Sequence, residues 1–440
     1  MFKEKDFTFN NIKQGNRNPL LYSYQFSDGL KTGYTEASGF SLAATAEKSG
    51  RRLIAVLSGM ESVKERKDET IKLGIIYGYT GPIESLTPDM AKAAELAITE
   101  VNNSGNFISK KVEGVRADST CVDAAAATSA AERLITSDKI KAIVGADCSG
   151  VTTAILQNVA MANGVVMISP SATSPALSDL PDNDLFFRTA PSDARQGVII
   201  AELLLQKGFK TAAMTYTNND YGKGLADSIQ KNYESRGGKI TISASHEDGK
   251  GDYGAEAGAL AQAGGDILIV AGYLDKGGKG VIQASLDAGS FKTFFLPDGM
   301  IGDSLPTAIG DDLNGSIGTV PGTDSPGANK FNEIAKSNNF KAGPYTKESY
   351  DSAALIMLAM QAANSTNSND FKSKVMDVAN APGEKIFPGE LAKGLKLLSE
   401  GKEIDYVGAS AVELIGGGES AGNFAEILID NQKVTTVGYK

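Results

Sequence analysis

Five stretches of this chain carry residue types able to hold a small charged molecule. Ala146-Asp147-Cys148-Ser149-Gly150-Val151-Thr152-Thr153 is a small polar turn that opens an amphipathic segment. Free N–H groups at a helix start carry positive potential, and Ser149 adds a hydroxyl donor, so an anion can sit there. Plain helix capping accounts for the same residues equally well. Pro170-Ser171-Ala172-Thr173-Ser174-Pro175 is a second such turn, open to the same two readings. Further along, Tyr221 lies in Asn218-Asn219-Asp220-Tyr221-Gly222, Tyr273 follows the apolar run Ile267–Ala271, and Asp298 stands in Pro297-Asp298-Gly299. An acid facing an anion-holding turn is what an amino-acid zwitterion requires. Asp-Gly is also a common turn pair, which leaves Asp298 a purely local reading.

Composition narrows the chemistry. With one histidine, two cysteines and no tryptophan, a Ser-His-Asp triad has only His246 to draw on. A zinc site would need three scarce residues together, so no metal and no cofactor are expected. His246, in Ser245-His246-Glu247-Asp248, reads as a solvated residue at a strand end. Gly272-Tyr273-Leu274-Asp275-Lys276-Gly277-Gly278-Lys279-Gly280 is glycine-rich but lacks the Gly-Lys-Ser/Thr ending of a phosphate loop. Lys+Arg 43 against Asp+Glu 53 gives a net charge of −10, which disfavours nucleic acid and anionic membranes as partners. The chain has no apolar run long enough for a transmembrane helix, and its N-terminus lacks the apolar stretch of a signal peptide.

The elements that must position these residues alternate. Strands are expected at Leu73–Tyr77, Val112–Ala117, Ala142–Gly145 and Val165–Ser169. A second set is expected at Ala212–Tyr216, Ile240–Ser245, Ile267–Ala271 and Phe294–Leu296. Helices fit between them, the clearest at Pro88–Asn102, where Met90, Ala93, Ala94, Ala97, Ile98 and Val101 share one face. Thr87 is placed to cap it, with Pro88 at the first helical position. Strand–helix–strand repetition implies an α/β fold of parallel sheets with helices on both faces. Two blocks of four strands imply two doubly wound lobes. Later helices at Lys347–Ala363 and Phe371–Ala379 and late strands at Phe424–Ile429 and Val434–Gly438 return to complete them, so the chain crosses between lobes and leaves a cleft. In such sheets ligands sit at the carboxyl ends of strands, where all five stretches fall.

From about residue 69 to 440 the order and spacing of these pieces resemble the leucine/isoleucine/valine-binding family of periplasmic substrate-binding proteins. The likeness is carried by Ile71-Lys72-Leu73-Gly74 with Thr80-Gly81-Pro82, Cys148-Ser149, Ser169 to Pro175, Arg188-Thr189-Ala190, Asp220-Tyr221-Gly222 and Pro297-Asp298-Gly299. The resemblance implies a type I periplasmic-binding-protein fold with three hinge crossings. Its lobes would be residues 69–190 with 322–418, and 191–321 with 419–440. It implies a monomeric, non-enzymatic periplasmic receptor that captures an amino acid or similar small zwitterion by hinge closure and delivers it to an ABC transporter permease. By position, the ligand's carboxylate would meet Ser149, the Ser171 backbone and Thr173. Its ammonium would meet Thr173, Tyr221 and Asp298, with Tyr273 packed against it. Leu86 stands where the branched-chain prototype has a tryptophan, and Asp298 where it has a glutamate. Cys121 and Cys148 match a disulfide of that prototype.

Residues 1–68 resemble a different family. Asp28-Gly29-Leu30-Lys31-Thr32-Gly33, with Asn16-Arg17-Asn18 and Gly59-Met60-Glu61-Ser62, is similar to the KTG region of D-alanyl-D-alanine carboxypeptidases. In that family the nucleophile lies on an upstream S-x-x-K motif, for which no residues precede Met1. Ser399-Glu400-Gly401-Lys402 and Ser104-Gly105-Asn106 match the missing motifs only by letter, inside the other fold. The segment is therefore expected to be an incomplete, catalytically silent, partly ordered appendage. Lys64 to Glu69 reads as a solvated linker, and Gly416-Gly417-Gly418 as a turn.

Overall fold

The structure is a computed structural model that describes residues 6–9, 12–15, 27–35, 39–48, 51–60 and 70–440. The chain divides into two compact units. One is Met1–Thr70 with Ser109–Lys111, and the other is Ile71–Ile108 with Val112–Lys440. In the first, Ser27–Thr35, Gly39–Lys48 and Arg51–Met60 form an antiparallel three-stranded sheet. Lys31-Thr32-Gly33 lies in its first strand, paired with Ser41 to Ala43. Asn16-Arg17-Asn18, Glu61-Ser62 and the Lys64–Glu69 run lie outside the described residues.

The second unit holds two larger sheets. The first has the order Phe186–Arg188, Met167–Ser169, Ala142–Gly145, Thr70–Tyr77, Lys111–Asp118, and its first four strands pair parallel. The second runs Lys239–His246, Thr211–Thr217, Ile267–Ala271, Phe294–Leu296, Ile317–Pro321, Phe424–Asp430, Lys433–Tyr439. Its first five strands are parallel, and the last two add antiparallel at one edge. The central strands are apolar throughout because both faces are covered by helices. Two strands of these sheets were not expected from the sequence, Phe186–Arg188 and Ile317–Pro321. They are short, and the second ends on a proline.

The tail completes both sheets. Helix Thr346–Ala363 is buried on nearly every side and packs against helix Thr87–Ser104 and the Met167–Ser169 strand of the first sheet. The late strands join the second sheet. Thr87 does not cap its helix: Leu86 holds the cap position, and Thr87 Oγ1 donates instead to the Gly78 carbonyl at 3.0 Å. That bond ties the helix start to the end of the Thr70–Tyr77 strand. His246 is also not solvated. It is 2 % exposed, its Nδ1 lies 2.8 Å from Thr215 Oγ1, and burial pushes its pKa down to about 4. As the last residue of the sheet's edge strand it packs against Gly272 and Gly277, a neutral core residue.

Candidate functional site

Loops at the carboxyl ends of the two sheets meet across one small cavity. Its lining comprises Ile83, Leu86, Asp147, Cys148, Ser149 and Ser171 from the first sheet's side, Tyr221, Tyr273, Asp298 and Gly299 from the second, and Tyr345 from the tail. The side chains close in on it and leave a cavity of only about 20 Å³. Beyond Leu86 a larger, open groove of about 280 Å³ runs past Asp303, Lys341 and Lys347. The smaller space is the better candidate because buried polar groups from both sheets converge on it. The two sides already touch. Asp275 N–H donates to the Pro82 carbonyl at 3.0 Å, and its carboxylate accepts from Ser85 N–H at 2.9 Å. Ser174 Oγ donates to the Asp220 carbonyl at 3.1 Å.

Asp298 sits in a one-turn helix directly after its strand and is 1 % exposed. Tyr221 donates to Asp298 Oδ1 at 2.9 Å, and Tyr345 donates to Oδ2. Gly299 N–H donates to the Tyr221 oxygen at 3.1 Å, which fixes that phenol's direction. A side chain at Gly299 would collide with that oxygen, its Cβ only 2.7 Å away. Tyr273 stacks on Tyr221 with ring centroids 5.1 Å apart. Burial raises the pKa of Asp298, and the hydrogen bonds from Tyr345, Tyr221 and Gln196 hold it down in part.

On the opposite side Asp147 is 1 % exposed and bridges three loops. It accepts from Gly78 N–H at 2.5 Å and Ser119 Oγ at 2.8 Å. Burial raises its pKa while these bonds oppose the rise. Ser149 Oγ accepts from Ser174 N–H at 3.1 Å and keeps its proton to donate. Ser171 Oγ donates to the Asp147 carbonyl at 2.9 Å, and its N–H donates to Ser169 Oγ at 3.3 Å. The Ser171 backbone, expected to meet a ligand carboxylate, thus already has a partner. Thr173 is not part of the lining. Its carbonyl accepts from Asp193 N–H, and its buried hydroxyl lies against the Asp193 carboxylate.

Cys121 and Cys148 form a disulfide with Cα atoms 5.2 Å apart, and Cys148 contributes to the cavity wall. Closing a loop of 27 residues' separation is worth about 3–4 kcal/mol in the loop-entropy model. Arg188 is wholly buried and clamps the second polar turn. It donates to the Ala172 and Ser174 carbonyls at 3.0 and 2.9 Å, to Ser178 Oγ at 2.8 Å, and to Glu419 at 2.5 Å.

Three residues escaped the sequence reading. Asp147 stands in the same small polar turn as Ser149, where only the serine draws notice as a donor. Asp193, at a helix start, gives no signal beyond capping. Tyr345 stands before a helix with a left-handed φ of 61°, in a tail loop rather than after a strand. The glycine-rich stretch near Tyr273 is no phosphate cradle, because Gly277 N–H points at the Asp248 carboxylate.

Comparison with known proteins follows the same division. Residues 70–389 match the family described as periplasmic binding protein, and residues 1–62 match D-alanyl-D-alanine carboxypeptidase. The Leu/Ile/Val-binding protein homolog 1 of Brucella abortus is 32% identical over 323 residues, covering 72% of this chain and 82% of its own. The leucine-, isoleucine-, valine-, threonine- and alanine-binding protein of Pseudomonas aeruginosa is 31% identical over 255 residues, 58% of this chain and 67% of its own. A leucine-binding protein structure from Thermotoga maritima superposes with a TM-score of 0.72 at 20% identity, covering 84% of this chain and 98% of its own. The branched-chain amino acid transporter substrate-binding protein of Streptococcus pneumoniae, solved with isoleucine, gives 0.70 at 23% identity, covering 84% of this chain and 99% of its own.

Proposed function

The chain belongs to the periplasmic binding protein family, and we propose that it captures an amino acid or similarly small amine in the cavity between its sheets. Members of the family are solute-binding receptors of ABC transporters, and their fold is the two-lobed one described above. We assign the lobes to residues 69–190 with 322–418 and 191–321 with 419–440, acting as a monomer outside the cytoplasm and delivering the solute to a permease.

The observation that carries the reading is the shared cavity, with Ser149 and Ser171 on one side and Tyr221, Tyr273 and Asp298 on the other. Asp298 is the acceptor for the ligand's ammonium, and Tyr221 and Tyr345 hold it in place. Tyr273 packs on the ligand, and Leu86 bounds its far end. Ser149 Oγ is the donor toward a ligand oxygen. A ligand that touches both lobes binds the closed arrangement more tightly, and that difference drives closure. We assign no catalytic role to the N-terminal segment.

The experiment is a thermal-shift screen of the purified chain against amino acids and related amines. At a ligand concentration a hundredfold above Kd, stabilisation of about 2.7 kcal/mol is expected. A screen in which no such compound raises Tm would refute the reading.

A further inference from the structure

Charge in the cavity has one sign. Asp147 enters from the first sheet and Asp298 from the second, and no lysine, arginine or histidine is among its described lining residues. Both acids are 1 % exposed. Each is held by donors that suit a carboxylate: Gly78 N–H and Ser119 Oγ for Asp147, the Tyr221 and Tyr345 hydroxyls for Asp298. Beside Asp298 lies a third acid, Asp193, at 0 % exposure, with the Thr173 hydroxyl and the Arg188 charge nearby. The nearby buried cation, Arg188, is committed to Glu419 and to the carbonyls of Ala172 and Ser174.

The remaining walls favour the same ligand charge. Tyr221, Tyr273 and Tyr345 present three aromatic rings, two of them stacked. Aromatic faces and carboxylates in a water-poor space attract organic cations. An isolated zwitterion answers only one of the two lining acids. Its carboxylate, seated near Ser149 and Ser171, would lie beside Asp147, the residue two before Ser149 in the same turn.

Building on the receptor reading of this cavity, we propose that the solute is a small organic amine of net positive charge, bound between Asp147 and Asp298. A diamino acid and a methylated ammonium compound share this chemistry.

The test is calorimetric titration of the full chain with L-ornithine, L-lysine and choline, and with L-alanine and L-leucine as neutral zwitterions. At least one net-positive amine is expected to bind about tenfold or more tightly than either zwitterion. The arm that binds distinguishes diamino acid from quaternary ammonium. Asp147→Asn is expected to erase most of that preference. A zwitterion bound as tightly as every net-positive amine would overturn the charge assignment and leave the receptor reading standing, as would an unchanged preference in folded Asp147→Asn protein. Binding of neither group would overturn both. If Asp147→Asn fails to fold, the wild-type preference alone decides.

Discussion

Asp298→Ala is expected to weaken solute binding by at least about a hundredfold. Truncating one partner of a desolvated charge pair costs about 2–5 kcal/mol, and each 1.4 kcal/mol is tenfold in affinity. Asp298 meets the conditions for the upper part of that range. It is fully buried, and both its oxygens are fixed by phenols aimed from different elements. Removing it also leaves the Tyr221 and Tyr345 hydroxyls without their acceptor. Asp298→Asn keeps the volume and one acceptor oxygen, so it should lose affinity with less damage to the fold. Titration of both variants, beside their melting curves, separates the two effects. Affinity within about threefold of the parent in folded Asp298→Ala protein would refute the ammonium assignment.

Arg188→Ala is the second large effect, and it falls on stability. The guanidinium joins the Phe186–Arg188 strand, the turn from Ala172 to Ser178, and Glu419. Its loss takes the donor from the buried Ala172 carbonyl, leaves the Ser174 carbonyl with Leu177 N–H alone, and strands Glu419, whose side chain is only 14 % exposed. Breaking a buried ion pair from one side costs about 3–5 kcal/mol. For a unit of this size that corresponds to a Tm drop of roughly 4–6 °C. The clamped turn carries Ser171 and Thr173, so affinity should fall too. Glu419→Gln, which keeps an acceptor, should cost less. An unchanged Tm in Arg188→Ala protein would show that the clamp is dispensable.

How far the sequence leads depends on how local each signal is. The strands at Ala142–Gly145, Ile267–Ala271 and Phe294–Leu296 are short apolar runs bounded by turn residues, and they lie where the sequence places them. Phe186–Arg188 and Ile317–Pro321 owe their strand state to neighbours already in the sheet, a tertiary cause with no period of its own. The same split holds in the cavity. Ser149, Ser171, Tyr221, Tyr273, Asp298 and Leu86 follow strands or open helices, where ligand-facing loops are anticipated, and all six line it. Tyr345 reaches it from a chain segment some 47 residues beyond Asp298. Thr173 stays out of the lining, its carbonyl held by Asp193 N–H and its turn by Arg188. His246 is buried because Thr215 supplies a partner from the adjacent strand, which no local pattern announces.

The chain gripping its solute from two sides is tested most directly by hydrogen–deuterium exchange with and without a solute found by thermal shift. Protection is expected together in peptides spanning residues 147–153, 171–175, 219–225, 272–275 and 297–301, because those loops converge on one cavity. Protection confined to loops of a single sheet, or appearing only in the groove beyond Leu86, would contradict it.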